Sequence, residues 1–268
     1  MDRWTVQEPT QIELDAVRRV EVRIVSGHVE VVGGDGPPRL EVSSIEGPPL
    51  HVRLADGVLE VSYEDLSWRG LMEWLRQERR RAVVSIAVPR ECEVELGVVT
   101  ASALAAGVHG RIAVKSVSGE VVLDGVGSRV TAHTVSGNVE SRGLRGELDF
   151  KTVSGDLTVV DARSGAVRAK TVSGDLTVDL HAVGEGGIEL DSVSGDITLR
   201  LPGDADLAVD VRSTSGKLGS AFDGLAQDRQ PGQRRLEGTL GEGAGRLRAR
   251  TVSGDVALLR RVGGDEPA

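Results

Sequence analysis

Residues 152–159 read Thr-Val-Ser-Gly-Asp-Leu-Thr-Val, and the same eight residues return unchanged at 171–178. Outward from this pair, Val-Ser-Gly recurs with its serine at Ser26, Ser118, Ser136, Ser154, Ser173, Ser194 and Ser253, joined by a Thr-Ser-Gly variant at Ser215. Successive steps from Ser118 are 18, 18, 19, 21, 21 and 38 residues; the last approximates two periods, and the 92 residues between Ser26 and Ser118 approximate five. Self-similarity at a short, nearly fixed period marks one supersecondary unit laid down repeatedly.

Apolar residues keep fixed offsets from each copy. Around Ser118 they are Ile112, Val114, Val121 and Leu123; around Ser173, Val167, Ala169, Leu176 and Val178; around Ser253, Leu247, Ala249, Val256 and Leu258. The distant first copy obeys too, with Val20, Val22, Val29 and Val31. Spacing by two is strand periodicity with one face turned inward. The unit also divides into halves of nine, as Val121, Val130, Val139 and Leu148 show. One coil is therefore two short strands and two turns.

A single coil cannot bury its apolar face, so coils must stack, with equivalent strands about 4.8 Å apart. The expected fold is all-β: a parallel β-solenoid with two flattened sheets and coils of about 18–21 residues. It is expected to occupy residues 1–262 as one domain, with less regular coils over 1–90, regular Val-Ser-Gly coils over 91–262, and a disordered tail at 263–268. The hexapeptide type of solenoid is excluded, because it needs an aliphatic residue at every sixth position.

The pairs Ser118-Gly119, Ser136-Gly137, Ser154-Gly155, Ser173-Gly174, Ser194-Gly195 and Ser253-Gly254 read as structural corners. Glycine there would take a positive φ, and the serine hydroxyl would satisfy nearby backbone groups. None of these serines sits in a Gly-x-Ser-x-Gly elbow and no histidine recurs beside them, so they are not nucleophiles. After the glycine comes a column of Glu120, Asn138, Asp156, Asp175, Asp196, Lys217 and Asp255. Stacked carboxylates suit calcium. The Gly-Gly-x-Gly-x-Asp pattern of calcium-binding rolls is missing, however, and Asn138 and Lys217 interrupt the column, so Asp is read as a turn former with no metal and no cofactor. Two residues before the valine sit Lys115, His133, Lys151, Lys170, Asp191, Arg212 and Arg250, a mostly basic column expected to balance the acidic one across rungs.

Two stretches interrupt the repeat. Trp68, Leu71, Met72 and Leu75 fall at helical spacing, with Ser67 placed to cap, which predicts an inserted amphipathic helix near 67–81. Its apolar stripe is expected to cover the solenoid. Trp74, Arg76, Arg79 and Arg80 would then remain outside as a partner-contact surface. The second stretch, 221–245, carries Gln227-Asp228-Arg229-Gln230-Pro231-Gly232 and reads as a polar surface excursion between coils.

Composition bounds the partners. Formal charge is -9 and the pI is about 5.2, so the long-range field opposes nucleic acid and anionic surfaces, and no nucleic-acid partner is expected. No run approaches the roughly 18 apolar residues of a membrane span. The first nine residues lack a basic region followed by an apolar one, which points to a cytoplasmic protein. Cys92 is the single cysteine and excludes an internal disulfide. With 3 Trp, 1 Tyr and 2 Phe, the core must be aliphatic.

The chain resembles the bacterial family of putative adhesins with β-strand repeats, a domain-of-unknown-function family. The resemblance rests on Trp4-Thr5-Val6, Arg23-Ile24-Val25-Ser26-Gly27, Leu40-Glu41-Val42, Tyr63-Glu64-Asp65-Leu66, Val83-Val84-Ser85-Ile86-Ala87-Val88-Pro89 and the Thr-Val-Ser-Gly copies through Leu258-Leu259-Arg260-Arg261. It implies a β-repeat architecture and an adhesin-like role.

Catalysis finds little support in the residues. His28, His51, His109, His133 and His181 share no repeat position and no metal-ligand spacing, and Gly33-Gly34-Asp35-Gly36 does not fit a strand-to-helix phosphate loop. The expected function is a non-catalytic scaffold or protein-interaction module, with an unknown protein or a second copy as partner. A self-assembling or adhesin-like structural protein stands second, and a carbohydrate-active enzyme third.

Overall fold

The computed structural model describes residues 1–63, 80–184, 186–230 and 232–261, and among these all regular structure is β-strand. The chain divides into two compact units, Met1–Val130 and Thr131–Ala268.

The first unit holds β1 (Asp2–Val6), β2 (Thr10–Glu13), β3 (Arg19–Ile24), β4 (Ser26–Gly34), β5 (Arg39–Glu46), β6 (Leu50–Ala55), β7 (Val58–Ser62), β8 (Arg81–Pro89), β9 (Glu93–Val98), β10 (Ser102–Ala106), β11 (Ile112–Ser116) and β12 (Val121–Asp124). One sheet runs β1-β6-β7-β3-β9-β11 and the other β2-β5-β8-β4-β10-β12. From β3 and β4 onward the pairing is parallel, and the register aligns inward residues: Val20, Val94 and Ile112 form one row, Val29, Ala103 and Val121 another. All six are buried. A fully buried Val or Leu side chain contributes about 1.5–3 kcal/mol, so each such row is a sizeable share of stability.

This arrangement corrects the repeat count. The coil of Ser26 stacks directly on the β9–β10 coil, so the 92-residue gap does not span five stacked periods. Residues before and within the gap instead form antiparallel strands, β1 on β6, β2 on β5 and β5 on β8. They include the β6–β7 hairpin, whose turn residues Asp56 and Gly57 have φ of 52° and 76°. Two successive positive φ values are what a right-twisted two-residue hairpin requires, and Asp-Gly supplies them cheaply.

Cys92 lies beside the start of β9 and is 1% exposed. Burial, helped by the charge of Glu93 and opposed by a hydrogen bond with the Val20 backbone, pushes its thiol up to about 12. Since the thiolate is the reactive form, Cys92 is expected to resist alkylation near neutral pH in the native protein and to react at once in denaturant. Equal labelling rates in the two conditions would contradict its burial.

The second unit holds β13 (Val130–His133), β14 (Val139–Arg142), β15 (Leu148–Lys151), β16 (Leu157–Ser164), β17 (Val167–Lys170), β18 (Leu176–Val183), β19 (Ile188–Asp191), β20 (Ile197–Leu201), β21 (Leu207–Ser213), β22 (Leu218–Ser220), β23 (Leu225–Gln230), β24 (Gln233–Leu240), β25 (Gly245–Thr251) and β26 (Val256–Arg260). Its strand orders are β13-β15-β17-β19-β25-β21-β24-β23 and β14-β16-β18-β20-β26-β22. Leu157, Leu176, Ile197, Val256 and Leu218 align in one buried row. The stacking order departs from chain order here: the coil of Ser253 inserts between those of Ser194 and Ser215.

The stretch at 221–245 is a second correction. Much of it forms the antiparallel pair β23–β24, laid on β21. The outer strand, Leu225-Ala226-Gln227-Asp228-Arg229-Gln230, is mostly polar, which discourages pairing with another chain at that edge. Across β21 and β24, burial works to raise the Asp210 carboxyl, but hydrogen bonds from Arg212 (2.9 Å) and Arg235 (3.0 Å) outweigh it and hold the group below the usual range.

The helix expected near 67–81 falls on residues outside those described except at its end, and there Arg81 opens β8 as strand.

Candidate functional site

The repeated corner places four residue types in four different environments. First comes a buried hydroxyl, at Ser116, Thr134, Thr152, Thr171, Ser192, Ser213 and Thr251. Thr152 accepts the N–H of Gly155 at 3.1 Å, Thr251 that of Gly254 at 3.1 Å, and Ser213 that of Gly216 at 2.9 Å. The Thr251 and Ser213 hydroxyls donate onward to the carbonyls of Gly195 (3.2 Å) and Gly254 (2.9 Å) on the neighbouring coil. From Ser118 onward this column stands two positions before the serine in every copy, a signal open to inspection but obscured by the more regular Val-Ser-Gly.

Thr152→Val keeps the β-branched shape and removes the acceptor, stranding the Gly155 N–H and displacing the Thr134 hydroxyl that donates to it at 2.8 Å. Stability should fall by about 1–3 kcal/mol in a denaturant titration, the cost of an unsatisfied buried donor. An unchanged midpoint would mean that these hydroxyls are not structural.

Next, the valine points outward. Val135, Val153, Val172, Val193 and Val252 are each 48–52% exposed. They belong to consecutive rungs and so form an apolar stripe on the order of 19 Å long, at one strand spacing per rung. The serines beside them donate weakly to the adjacent coil, as Ser154 does to the Val135 carbonyl at 3.5 Å and Ser253 to the Val193 carbonyl at 3.4 Å.

The glycine follows, and its conformation corrects the expectation from sequence. The glycines at 119, 155, 174, 195 and 254 are not among those with positive φ. Their need is steric: a Cβ on Gly174 would overlap the Gly155 carbonyl oxygen, one on Gly195 that of Gly174, and one on Gly254 that of Gly195. Each coil rests its glycine on the carbonyl of the coil before.

Last comes the acidic column, and it is a backbone ladder. The Asn138 side-chain oxygen accepts the N–H of Asp156 (3.0 Å), Asp156 that of Asp175 (2.8 Å), Asp175 that of Asp196 (2.8 Å), Asp196 that of Asp255 (2.7 Å), and Asp255 that of Lys217 (2.7 Å). Asn138 and Lys217 therefore lie at its two ends instead of interrupting it. The basic column does not balance these carboxylates. Lys151 pairs with Asp149 (3.3 Å), Lys170 with Glu189 (3.3 Å) and Asp191 (3.2 Å), and Arg212 with Asp210 (2.9 Å), all in the other sheet. Among the described residues no group of three or more His, Cys, Asp or Glu side chains is placed to hold a metal ion.

Of the contact surface expected from sequence, Trp74, Arg76 and Arg79 lie outside the described residues. Arg80 is 9% exposed instead of outward, with its guanidinium 5.6 Å from the centroid of the buried Tyr63 ring. Its carbonyl accepts the N–H (3.2 Å) and hydroxyl (2.8 Å) of Ser26, just as the Val99 carbonyl accepts the N–H of Ser118 at 2.8 Å. Arg80 thus occupies the corner of an irregular coil. The histidines stay apart: His28 meets Ser102 at 2.8 Å, His109 meets Glu91 at 3.7 Å, and His181 pairs with Asp161.

The sequence profile of the Toastrack DUF4097 family matches residues 56–259. The chain belongs to that family. No curated protein matches it. Among solved structures, this Toastrack chain is similar to a "putative lipid binding protein" of Parabacteroides distasonis, at 13% identity and a TM-score of 0.55 over 95% of this chain and 97% of that one. It is also similar to a "putative adhesin" of the same organism, at 11% identity and a TM-score of 0.51 over 97% of each chain. At these identities the likeness is one of fold, and it agrees with the β-repeat architecture read from the sequence.

Proposed function

We propose that this Toastrack protein is a non-catalytic interaction module that receives an extended protein segment along the Val-Ser-Gly edge of its second unit. The observation that carries the reading is the stripe of Val135, Val153, Val172, Val193 and Val252, half exposed on consecutive rungs. Beside it runs the exposed column of Asp156, Asp175, Asp196 and Asp255, in which the backbone ladder engages Oδ1 of each. An apolar stripe flanked by carboxylates complements a segment that presents aliphatic and basic side chains. The same carboxylates oppose docking of this edge on an anionic lipid surface.

The test is a photoreactive residue at Val172 in cells of the native host, followed by binding measurements with the purified cross-linked partner. V172E/V193E should weaken that binding by about tenfold or more, as loss of a central apolar contact does, while leaving the fold intact because both positions are exposed. Cross-links only between copies of this chain would replace the reading with self-assembly. Turnover in a screen of hydrolase and lyase substrates would overturn it.

A further inference from the structure

On the outward face of the second unit, Arg168 of β17, Glu189 of β19 and Arg248 of β25 are register neighbours. Arg246 precedes Arg248 by two residues and stands opposite Gly187. Because 186 and 187 are both glycine, neither carries a side chain into the space before Glu189. Gly187 is held there: its φ is +76°, and a Cβ would come within 2.8 Å of the Arg246 carbonyl oxygen. The result is an open depression of about 180 Å³ walled by the three arginines and Glu189 and floored by glycine main chain. That volume exceeds several-fold the roughly 15 Å³ a single water needs, so a polyatomic group fits.

The depression gathers three cations that have no carboxylate partner of their own among the described residues. Arg142, Arg200, Arg212, Arg235 and Arg261 of the same unit each have a carboxylate partner. Among the described residues, Arg168, Arg246 and Arg248 have none within 4.0 Å. Glu189, the carboxylate in the wall, is engaged by Lys170 at 3.3 Å. The Nε of Arg248 is enclosed and donates to no acceptor, an unmet demand that native structures rarely leave standing. Three arginines lining one space favour an anion that can join them. A carboxylate has two oxygens and one charge and suits a single guanidinium fork, whereas a phosphate offers three or more oxygens and up to two charges.

We infer that this depression binds a phosphate group, carried by a free small molecule or by a lipid headgroup. The site is local, set against the net negative charge of the chain, so it acts through short-range forks and not through long-range attraction.

Titration of the full chain with inorganic pyrophosphate, followed calorimetrically, tests the free source, and co-sedimentation with phosphatidic acid vesicles against phosphatidylcholine vesicles tests the headgroup. R168Q/R248Q should weaken binding by about tenfold or more through loss of two charged forks. E189Q should strengthen it by about threefold through loss of the opposing carboxylate. R142Q, at an ion pair away from the depression, should change nothing, and circular dichroism of each variant should match the parent. Arginine-dependent binding in either arm supports the site, and the arm in which it occurs names the source. No binding in either arm, or binding that R168Q/R248Q leaves unchanged, overturns it.

Discussion

Gly174→Ala is expected to lower stability by about 2–3 kcal/mol, the upper range of overpacking, while Gly165→Ala, nine residues earlier, should leave it unchanged or raise it by up to about 1 kcal/mol. Ordinarily an alanine replacing a glycine at negative φ stabilises a protein by about 0.4–1 kcal/mol, because the unfolded chain loses freedom. Both glycines lie outside the positive-φ set, so that gain applies to both. Sterics decide the difference. A methyl group at 165 meets nothing within 4 Å, whereas at 174 it overlaps the Gly155 carbonyl, and the Gly195 backbone rests in turn on the Gly174 carbonyl. Backbone atoms held in ladders on both sides cannot swing away as a flexible side chain would. Relief must come from parting two coils, which also strains the Gly174 N–H bond to Ser194 (3.3 Å) and the Asp175 N–H bond to Asp156 (2.8 Å). The measurement is a denaturant titration of both variants beside the parent. Equal midpoints for the parent and Gly174→Ala would show that the corner is slack.

Phe150→Ala is expected to cost about 3–5 kcal/mol, the range for deleting a buried ring. Phe150 on β15 is 0% exposed and is the largest core side chain of its row, which continues through Ala169, Leu190, Ala249 and Val211. The neighbouring Ala169 is small, so the ring occupies space that its neighbour leaves free, and large and small residues alternate along the row. Removing the ring leaves two alanines side by side. Strands locked one spacing apart by backbone hydrogen bonds cannot close the gap, so the cavity persists. A loss below about 1 kcal/mol would mean that the row can collapse around it.

Much of the architecture was legible because it is written locally. Alternation at Val167, Ala169, Leu176 and Val178 selects the inward face whatever the neighbouring coil is, and the Asp-Gly pair at 56–57 selects its hairpin. The order of stacking was not legible. The coil of Thr251-Val252-Ser253-Gly254 has the same residues as any other, so nothing within it says that it inserts between the coils of Ser194 and Ser215. Inward-facing rows accept any matching neighbour, and chain order is only the default. The antiparallel strands β23 and β24 were missed for a related reason: Gln227 to Gln233 is polar because β23 lies at an edge of its sheet, and polarity with Pro and Gly also describes a loop.

The candidate surfaces divide in the same way. The alternation at Val167, Ala169, Leu176 and Val178 leaves the direction of Val172 open, and the structure places it on the corner between two strands, where the chain turns and its side chain is left outside. The need for glycine at 174 was visible as invariance across the copies, but its cause was not. A positive φ would be a property of one residue, whereas a carbonyl filling the place of a Cβ belongs to two coils in contact. Arg168 and Arg248 are 80 residues apart in the chain, and the displaced order of β25 brings them to either side of Glu189. By itself the sequence determined the unit: its strands, its corners, its inward face and the absence of a recurring catalytic constellation. Only the tertiary structure decided which coil touches which, and with that the ladder partners, the exposed valine stripe and the arginine depression, because these arise from contacts between coils that no single period encodes.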